Sequence, residues 1–194
     1  MLTMRNALRL LVPLLVTAAL AGSTLKARAS TLVVMTLPDL VQRADAIFVG
    51  RVVTSSSFER GPRIFTVHRI LVERPVSKGL LKAGETVDLL TEGGRGERWS
   101  QVVLGEAVLK PGEESLFFVA RSGDRFFSVG MAQGVYPVIR DPGKGTELIQ
   151  PARISARLVG TTPGGMADAA PWLREPRPLE EVIEAIRALL ERKP

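Results

Sequence analysis

The sequence predicts a mainly β domain, an antiparallel barrel or sandwich, flanked by a short helix before it and an amphipathic helix after it. Between residues 46 and 149, six or seven short runs of β-branched and aromatic residues alternate with turns, and no long helical pattern separates them. A helical period occurs near residue 40 and again after residue 178. The 194 residues are 45% apolar, which is enough for one core.

Residues 1–29 have the pattern of a signal peptide. A short basic stretch precedes a 12-residue apolar run over 10–21, and Ala27-Arg28-Ala29 has the small-x-small spacing of a signal peptidase site. We expect cleavage between Ala29 and Ser30, with export to the periplasm or the extracellular medium. Because a bilayer span needs about 20 apolar residues, no stable membrane anchor is expected after cleavage.

Charge and cysteine content exclude several classes of protein. The formal charge is +6, but four basic residues and no acid lie in the leader, so the rest carries 22 basic and 20 acidic residues, a net +2. We therefore expect no nucleic-acid partner. The chain has no cysteine, which excludes a disulfide scaffold and any thiolate zinc site. With a single histidine, no metal or cofactor is expected.

Two helices are predicted to flank the strands. Thr36 is expected to cap a two-turn helix over 37–44, with Asp39 at the positive end of its dipole. Pro178 opens a helix over 179–192, whose apolar stripe and acidic polar face predict packing on the barrel rather than on a membrane. The chain is expected to divide into a leader (1–29), a barrel domain with its helix (30–150), a surface loop rich in Pro, Gly and Ala (151–177), and the C-terminal helix (178–194).

The strand region is marked by turns at regular places. Ser122-Gly123-Asp124 and residues 141–145 have the composition of hairpin connections. A break in the alternation over 69–72 predicts a bulge in the second strand. The predicted strands cover 46–53, 63–72, 86–91, 115–120, 125–129, 134–139 and 147–149.

Few residues are candidates for chemistry. His68 is the only histidine, no Gly-x-Ser-x-Gly elbow occurs, and we expect this side chain on the barrel surface. Glu113 and Glu114 are adjacent on a strand and point to opposite faces, so they do not flank one glycosidic bond. No catalytic residue is therefore predicted, and a hydrolase that uses His68 stays as an alternative.

One segment has the composition of a binding loop. Residues 92–99 are charged and glycine-rich, and they carry Arg95, Arg98 and Trp99. Arg and Trp dominate binding hot spots, and loops on a rigid barrel are common recognition sites. We predict these three as binding residues; the alternative is that Trp99 plugs the barrel end.

Four segments carry a resemblance that covers about residues 36–140. They are 37–52, Thr91-Glu92-Gly93-Gly94, 109–114 and Gly130-Met131-Ala132-Gln133-Gly134. The chain resembles a group of uncharacterised exported bacterial proteins, and it is similar to the netrin-type module of tissue inhibitors of metalloproteinases. This likeness implies an OB-type β-barrel with flanking helices. Those inhibitors chelate the protease zinc with an N-terminal cysteine, whereas the expected mature N-terminus here is Ser30-Thr31-Leu32, so the inhibitory wedge is not carried over.

The combined expectation is an exported, non-enzymatic binding or accessory module built on an OB or netrin-like barrel. Its expected partner is another exported protein. Two alternatives remain open: a partner or inhibitor of an extracellular metalloprotease, and a hydrolase. The first depends on the netrin likeness alone, and the second on His68.

Overall fold

A computed structural model describes residues 30–163 and 165–192 of the chain. The predicted signal peptide lies outside the described residues. In chain order the strands are β1 (Thr31–Val33), β2 (Ala46–Arg60), β3 (Arg63–Pro75), β4 (Thr86–Glu92), β5 (Gly94–Arg95), β6 (Ser100–Gln101), β7 (Glu114–Ser122), β8 (Arg125–Ser128), β9 (Val135–Arg140), β10 (Glu147–Ile149), β11 (Arg157–Thr162), β12 (Gly165–Asp168) and β13 (Arg177–Pro178). The helices are α1 (Leu37–Arg43), a 3₁₀ turn (Met131–Gly134) and α2 (Leu179–Glu191). Within the described ranges, no helix is long and apolar enough to cross a membrane.

Five of these strands close into a barrel. Strand β2 pairs with both β3 and β7, β3 continues to β4, and β8 closes the circuit by pairing with both β4 and β7. The β4–β8 closure is parallel, at Leu89 opposite Phe126, and the other four pairings are antiparallel. In this order the first barrel strand lies beside the fourth, as in the Greek-key barrel of OB type. The predicted mainly β barrel with two flanking helices is confirmed.

The two longest strands, β2 and β3, set the shape of the barrel wall. Strand β2 runs seven residues beyond the predicted end because its serines continue to pair with β3. The irregularity predicted over 69–72 is found in the β2–β3 pairing, but the extra residues lie elsewhere. The shift at Val52/Thr54 is opposite Ile70 and Arg69 and leaves Val53 of β2 extra, and the shift at Val49/Gly50 leaves Glu73 of β3 extra. At Gly50 the strands come close, and an added Cβ would lie 2.7 Å from the Leu71 carbonyl oxygen. Glycine is therefore required there.

The core has two compartments that share the β2 and β7 walls. One fills the barrel interior, where Phe48 stacks on Phe117 with ring centroids 5.2 Å apart. The other lies between the outer face of these strands and the helices, and it includes Ile47 and Phe118. Because both faces of β2 and β7 are buried at this point, their sequences are continuous apolar runs rather than alternating ones.

Both helices cover the outer compartment. In α1 the Thr36 hydroxyl accepts from the Asp39 N–H at 3.3 Å, and the Asp39 carboxylate accepts from the Thr36 N–H at 2.8 Å. This reciprocal cap satisfies two free helix donors, as the sequence predicts. Helix α2 buries Leu179, Val182 and Ile183 beside α1 and β10.

The surface loop predicted over 151–177 is wrong in part. Strands β11 and β12 lie in it and form a three-stranded sheet with β1, in which β1 runs parallel to β11. The sequence signal is weak because these strands are short and rich in glycine and threonine, and β1 pairs across more than 120 residues. Farther along, Trp172 donates its Nε1–H to the Tyr136 hydroxyl at 2.6 Å, and Leu173 is buried. The predicted hairpin over 141–145 is confirmed between β9 and β10.

Candidate functional site at the barrel mouth

One end of the barrel, which we call the barrel mouth, turns polar side chains inward. They are Ser55 and Ser57 on β2, Thr66 and His68 on β3, and Thr91 on β4. His68 is only 4% exposed, so its predicted position on the barrel surface is wrong. On the opposite face of β3, Phe65 stacks on Phe58 with ring centroids 5.8 Å apart. Because successive side chains of a strand point to opposite faces, the outward position of Phe65 places Thr66 and His68 on the inner face.

His68 is held by a hydroxyl on each ring nitrogen. Its Nδ1 lies 2.7 Å from the Ser55 Oγ, and its Nε2 lies 3.0 Å from the Thr91 Oγ1. Burial lowers the pKa of His68 to about 4, so the imidazole is neutral at pH 7. In a neutral ring one nitrogen donates and the other accepts, and either tautomer satisfies both contacts.

The contact between Ser55 and His68 has the distance of a nucleophile and its base. Two features oppose base catalysis. The second ring nitrogen faces the Thr91 hydroxyl, which supplies no negative charge to stabilise an imidazolium. The same burial that lowers the pKa of His68 penalises the protonated ring that a general base must become. The arrangement is suited to hydrogen bonding rather than to proton abstraction.

A second set of hydroxyl contacts lies nearer the strand ends than His68. The Thr66 hydroxyl donates to the Gly93 carbonyl at 2.7 Å, and the Ser57 Oγ lies 2.9 Å from the Thr66 Oγ1. Since the Thr66 hydrogen is used on Gly93, Ser57 is the donor in the second contact. In the part of the chain that the structure describes, no buried polar side-chain atom lacks a partner. These contacts keep the polar end of the barrel ordered.

A cavity of about 260 Å³ lies against these side chains. We call it the mouth chamber, and we call residues 99–109, which cross the mouth, the cap segment. Gly105 anchors the cap segment: its N–H donates to the Ser155 Oγ at 2.9 Å, and its carbonyl accepts from the Ala132 N–H at 2.9 Å. Its φ is +89°, and an added Cβ would lie 2.8 Å from the Leu32 Cδ1. The cap is thus hydrogen-bonded to Ser155 and to the 3₁₀ turn, and it lies close against Leu32 of β1.

The cap segment places one carboxylate in the mouth chamber. Glu106 accepts from the Glu92 N–H at 3.2 Å and from the Ala107 N–H at 3.0 Å. Burial raises the pKa of Glu106, the two backbone hydrogen bonds lower it, and the charge of Glu92 raises it further. Across residues 30–163 and 165–192, no group of three or more His, Asp and Glu side chains is placed to hold a metal ion.

The cap segment carries several apolar side chains that are open to solvent. Trp99 is 41% exposed, Val102 84% and Val108 63%, and Leu104 is also exposed. Single exposed apolar side chains are common on protein surfaces, but four within ten residues are a local concentration, and Val102 and Val108 also line the chamber. We call these four side chains the apolar rim.

The predicted binding residues lie on the hairpin that leads into the cap. Arg95 is on β5, which pairs with β6, and Arg98 and Trp99 form the connection between them. Both arginines are exposed, and neither guanidinium has an ion-pair partner among the residues described. Arg95 borders an open cleft with Phe58. The structure therefore brings Trp99 to the rim and leaves the arginines beside it.

Four chamber residues were not predicted as site residues: Ser55, Thr66, Thr91 and Glu106. A sequence signal for the inner face of β3 exists, because Ile64, Ile70 and Val72 lie at every second position together with Thr66 and His68, and all five are buried. Thr91 follows Val87 and Leu89 in the same way on β4. Continuous period-two alternation through these strands predicts the polar inner face.

The fold and the mouth define a small closed β-barrel with a capped polar chamber. Comparison of the chain with protein-family models, with curated proteins and with solved structures finds no match.

Proposed function

We propose that the protein is an exported, non-enzymatic binding module that holds another exported protein at the barrel mouth. The observation that carries the proposal is the cap segment, which lines a chamber containing polar side chains and carries the exposed apolar rim, with Val102 and Val108 at the chamber itself. An apolar patch beside a few placed polar groups is the usual composition of a recognition surface.

The rigidity of the site supports binding. The cap segment is fixed through Gly105 to Ser155 and Ala132, and the strands below it belong to a closed barrel. A surface that is already ordered loses little conformational entropy on association, so more of its contact energy appears as affinity. Trp99 supplies the large aromatic anchor typical of the centre of an interface.

The chemistry of the chamber supports a module that binds and does not transform. The neutral, hydroxyl-bound His68 is a poor base, and this is the physical argument against the hydrolase alternative. The metalloprotease alternative gains no support from the N-terminal segment, because Thr31–Val33 is paired as a strand with β11. The resemblance to the netrin-type module remains part of the proposal only as an explanation of the barrel fold, because a fold does not by itself specify a function.

The test compares a triple variant of the rim with a double control variant in one binding assay. The rim variant combines Trp99→Ala, Val102→Ser and Val108→Ser. Its control combines Val53→Ser and Ile139→Ser, which are exposed apolar residues outside the cap segment and the chamber lining. A partner is first captured from the exported protein fraction of the native cell and then purified. We expect calorimetry with the purified partner to show at least about 10-fold weaker binding for the rim variant, since an aromatic hot spot contributes about 2 kcal/mol or more. The control should keep the wild-type affinity.

Thermal unfolding separates binding from stability. The rim side chains are exposed, so the melting temperature of the rim variant is expected to stay within about 2 °C of the wild type. Equal affinity of wild type and rim variant for the partner contradicts the proposal. A second variant, Arg95→Ala with Arg98→Ala, measures whether the hairpin arginines contribute: a weaker salt dependence with retained binding places them at the edge of the interface.

A further inference from the structure

The mouth chamber offers hydrogen-bond acceptors and few donors. The Thr66 hydroxyl is used on the Gly93 carbonyl, and the Ser57 hydroxyl is used on Thr66. The Thr91 hydroxyl has two acceptors in reach, the His68 Nε2 at 3.0 Å and the Thr66 carbonyl at 3.5 Å. The Ser55 hydroxyl hydrogen is free only in the tautomer in which the His68 Nδ1 carries the proton, and Ser55 lies at the exposed edge of the chamber. Gln101 also lines the chamber, and its Nε2 uses one of its two hydrogens on the Glu92 Oε1 at 3.1 Å. A molecule that enters the chamber therefore meets more acceptors than donors and gains most when it brings donors of its own.

The chamber also contains a carboxylate without a counter-charge. Glu106 accepts two backbone hydrogen bonds but has no ion-pair partner within the described part of the chain. The charge of Glu92 acts on Glu106 and has the same sign. The Glu92 carboxylate is itself paired with Arg63 at 3.6 Å. No lysine or arginine lines the chamber. A cation that comes close to Glu106 would remove the cost of this partly buried, uncompensated charge.

Size and rim restrict the kind of cation. A volume of about 260 Å³ accommodates a four-carbon chain with an amine, and the apolar rim with Val102 and Val108 lies at its entrance. Lysine combines an apolar stem with a charged head, so its stem can lie on the rim while its head goes inward. We propose that a lysine side chain of the partner protein enters the mouth chamber and that its ammonium donates to Glu106. This proposal rests on the proposed function, because it names the group through which the partner is recognised.

A small-molecule probe tests the chamber without a partner. The full exported chain is titrated with n-butylammonium, and the amide NMR signals of Glu106 and Ala107 are followed. We expect a saturable shift at millimolar concentration. The same titration with n-butanol, which keeps the chain and loses the charge, is expected to bind at least 10-fold more weakly. Equal binding of both probes overturns the proposal, and tighter binding of n-butylguanidinium overturns its assignment to lysine.

Glu106→Gln is the decisive variant because it keeps the size of the side chain and removes the charge. We expect at least a 10-fold loss of n-butylammonium binding. Glu114→Gln is the matched control: burial likewise raises the pKa of Glu114, but this carboxylate lies outside the chamber and pairs with Arg51 at 2.9 Å. Unchanged binding in Glu106→Gln contradicts the proposal. If Glu106→Gln unfolds, the second measurement is the side-chain carboxyl carbon signal of Glu106 in wild type, followed by NMR during the n-butylammonium titration at pH 7. A carboxyl signal that does not move as the probe binds is the contrary result.

The two proposals fail in different ways. If the purified partner binds wild type and Glu106→Gln equally while the rim variant loses it, the lysine inference is wrong and the binding function stands. If n-butylammonium binds through Glu106 but the rim variant keeps full affinity for the partner, the proposed interface is wrong and the chamber has another ligand.

Discussion

Acid is expected to destabilise this barrel through His68. Burial holds the pKa of its imidazole at about 4 in the folded protein, compared with an ordinary value of 6.5. Between these two pH values the unfolded chain binds a proton that the folded chain excludes. Stability therefore rises with pH in this window, and the His68 contribution is complete above about pH 6.5.

The magnitude follows from the gap between the two pKa values. The difference between 6.5 and about 4 corresponds to about 3 kcal/mol of unfolding free energy, lost as the pH falls from 6.5 to 4 and unchanged below that. Burial raises the pKa of Glu106 and Glu114, and their protonation in the folded state acts in the opposite direction. The wild-type pH profile alone therefore understates the effect of His68.

Comparison with His68→Gln isolates the effect. The glutamine amide can contact the Ser55 and Thr91 hydroxyls but does not titrate. We expect this variant to be less stable than wild type at pH 7 and the difference to shrink by about 3 kcal/mol at pH 4, measured by urea unfolding at pH 7, 5.5 and 4. A stability difference that stays constant across the three pH values refutes the argument that His68 is buried and neutral.

Three further substitutions and one control test the fold. Gly50→Ala places a Cβ 2.7 Å from the Leu71 carbonyl oxygen, so we expect a loss of about 2 kcal/mol or more in chemical denaturation. Thr36→Ala removes the reciprocal cap of α1 and is expected to cost about 1 kcal/mol by the same assay. Phe117→Ala empties the barrel interior and should cost about 3 to 5 kcal/mol, whereas Phe127→Ala, at an exposed position of β8, should cost under about 1 kcal/mol; similar losses for the two contradict the assignment of the inner face.

The sequence was informative about local elements and less so about what they enclose. Thr36 and Asp39 predict the α1 cap because the cap involves residues three apart in the chain. The 151–177 region was mistaken for a loop because β11 is specified by pairing with Thr31–Val33, a partner distant in the chain. Bulges depend on the register of two strands, and one sequence contains no direct signal of register.

The site was harder to predict than the fold, for a physical reason. The composition of the loop that carries Arg95 and Trp99 predicts binding, because arginine and tryptophan are the residue types most common in binding hot spots. The mouth chamber depends instead on which face of β3 is turned inward, and Phe65 on the opposite face is as apolar as Ile64 beside it. The alternation that continues to Ile70 and Val72 favours the His68 face as the inner one, and the contact between Phe65 and Phe58, made across two strands, occupies the outer face.

The position of the polar residues in the barrel supports recognition at the mouth. Stability alone favours apolar side chains throughout a barrel interior, and the half that contains Phe48 and Phe117 follows this rule. The mouth departs from it with His68 and its hydroxyl partners, and the cap segment above departs from the rule for surfaces with the exposed Val102 and Val108. Each departure has a cost in stability, and the two occur on either side of one cavity. A chain under selection for folding alone has no reason to place both together, whereas a binding site requires an apolar entrance over polar groups.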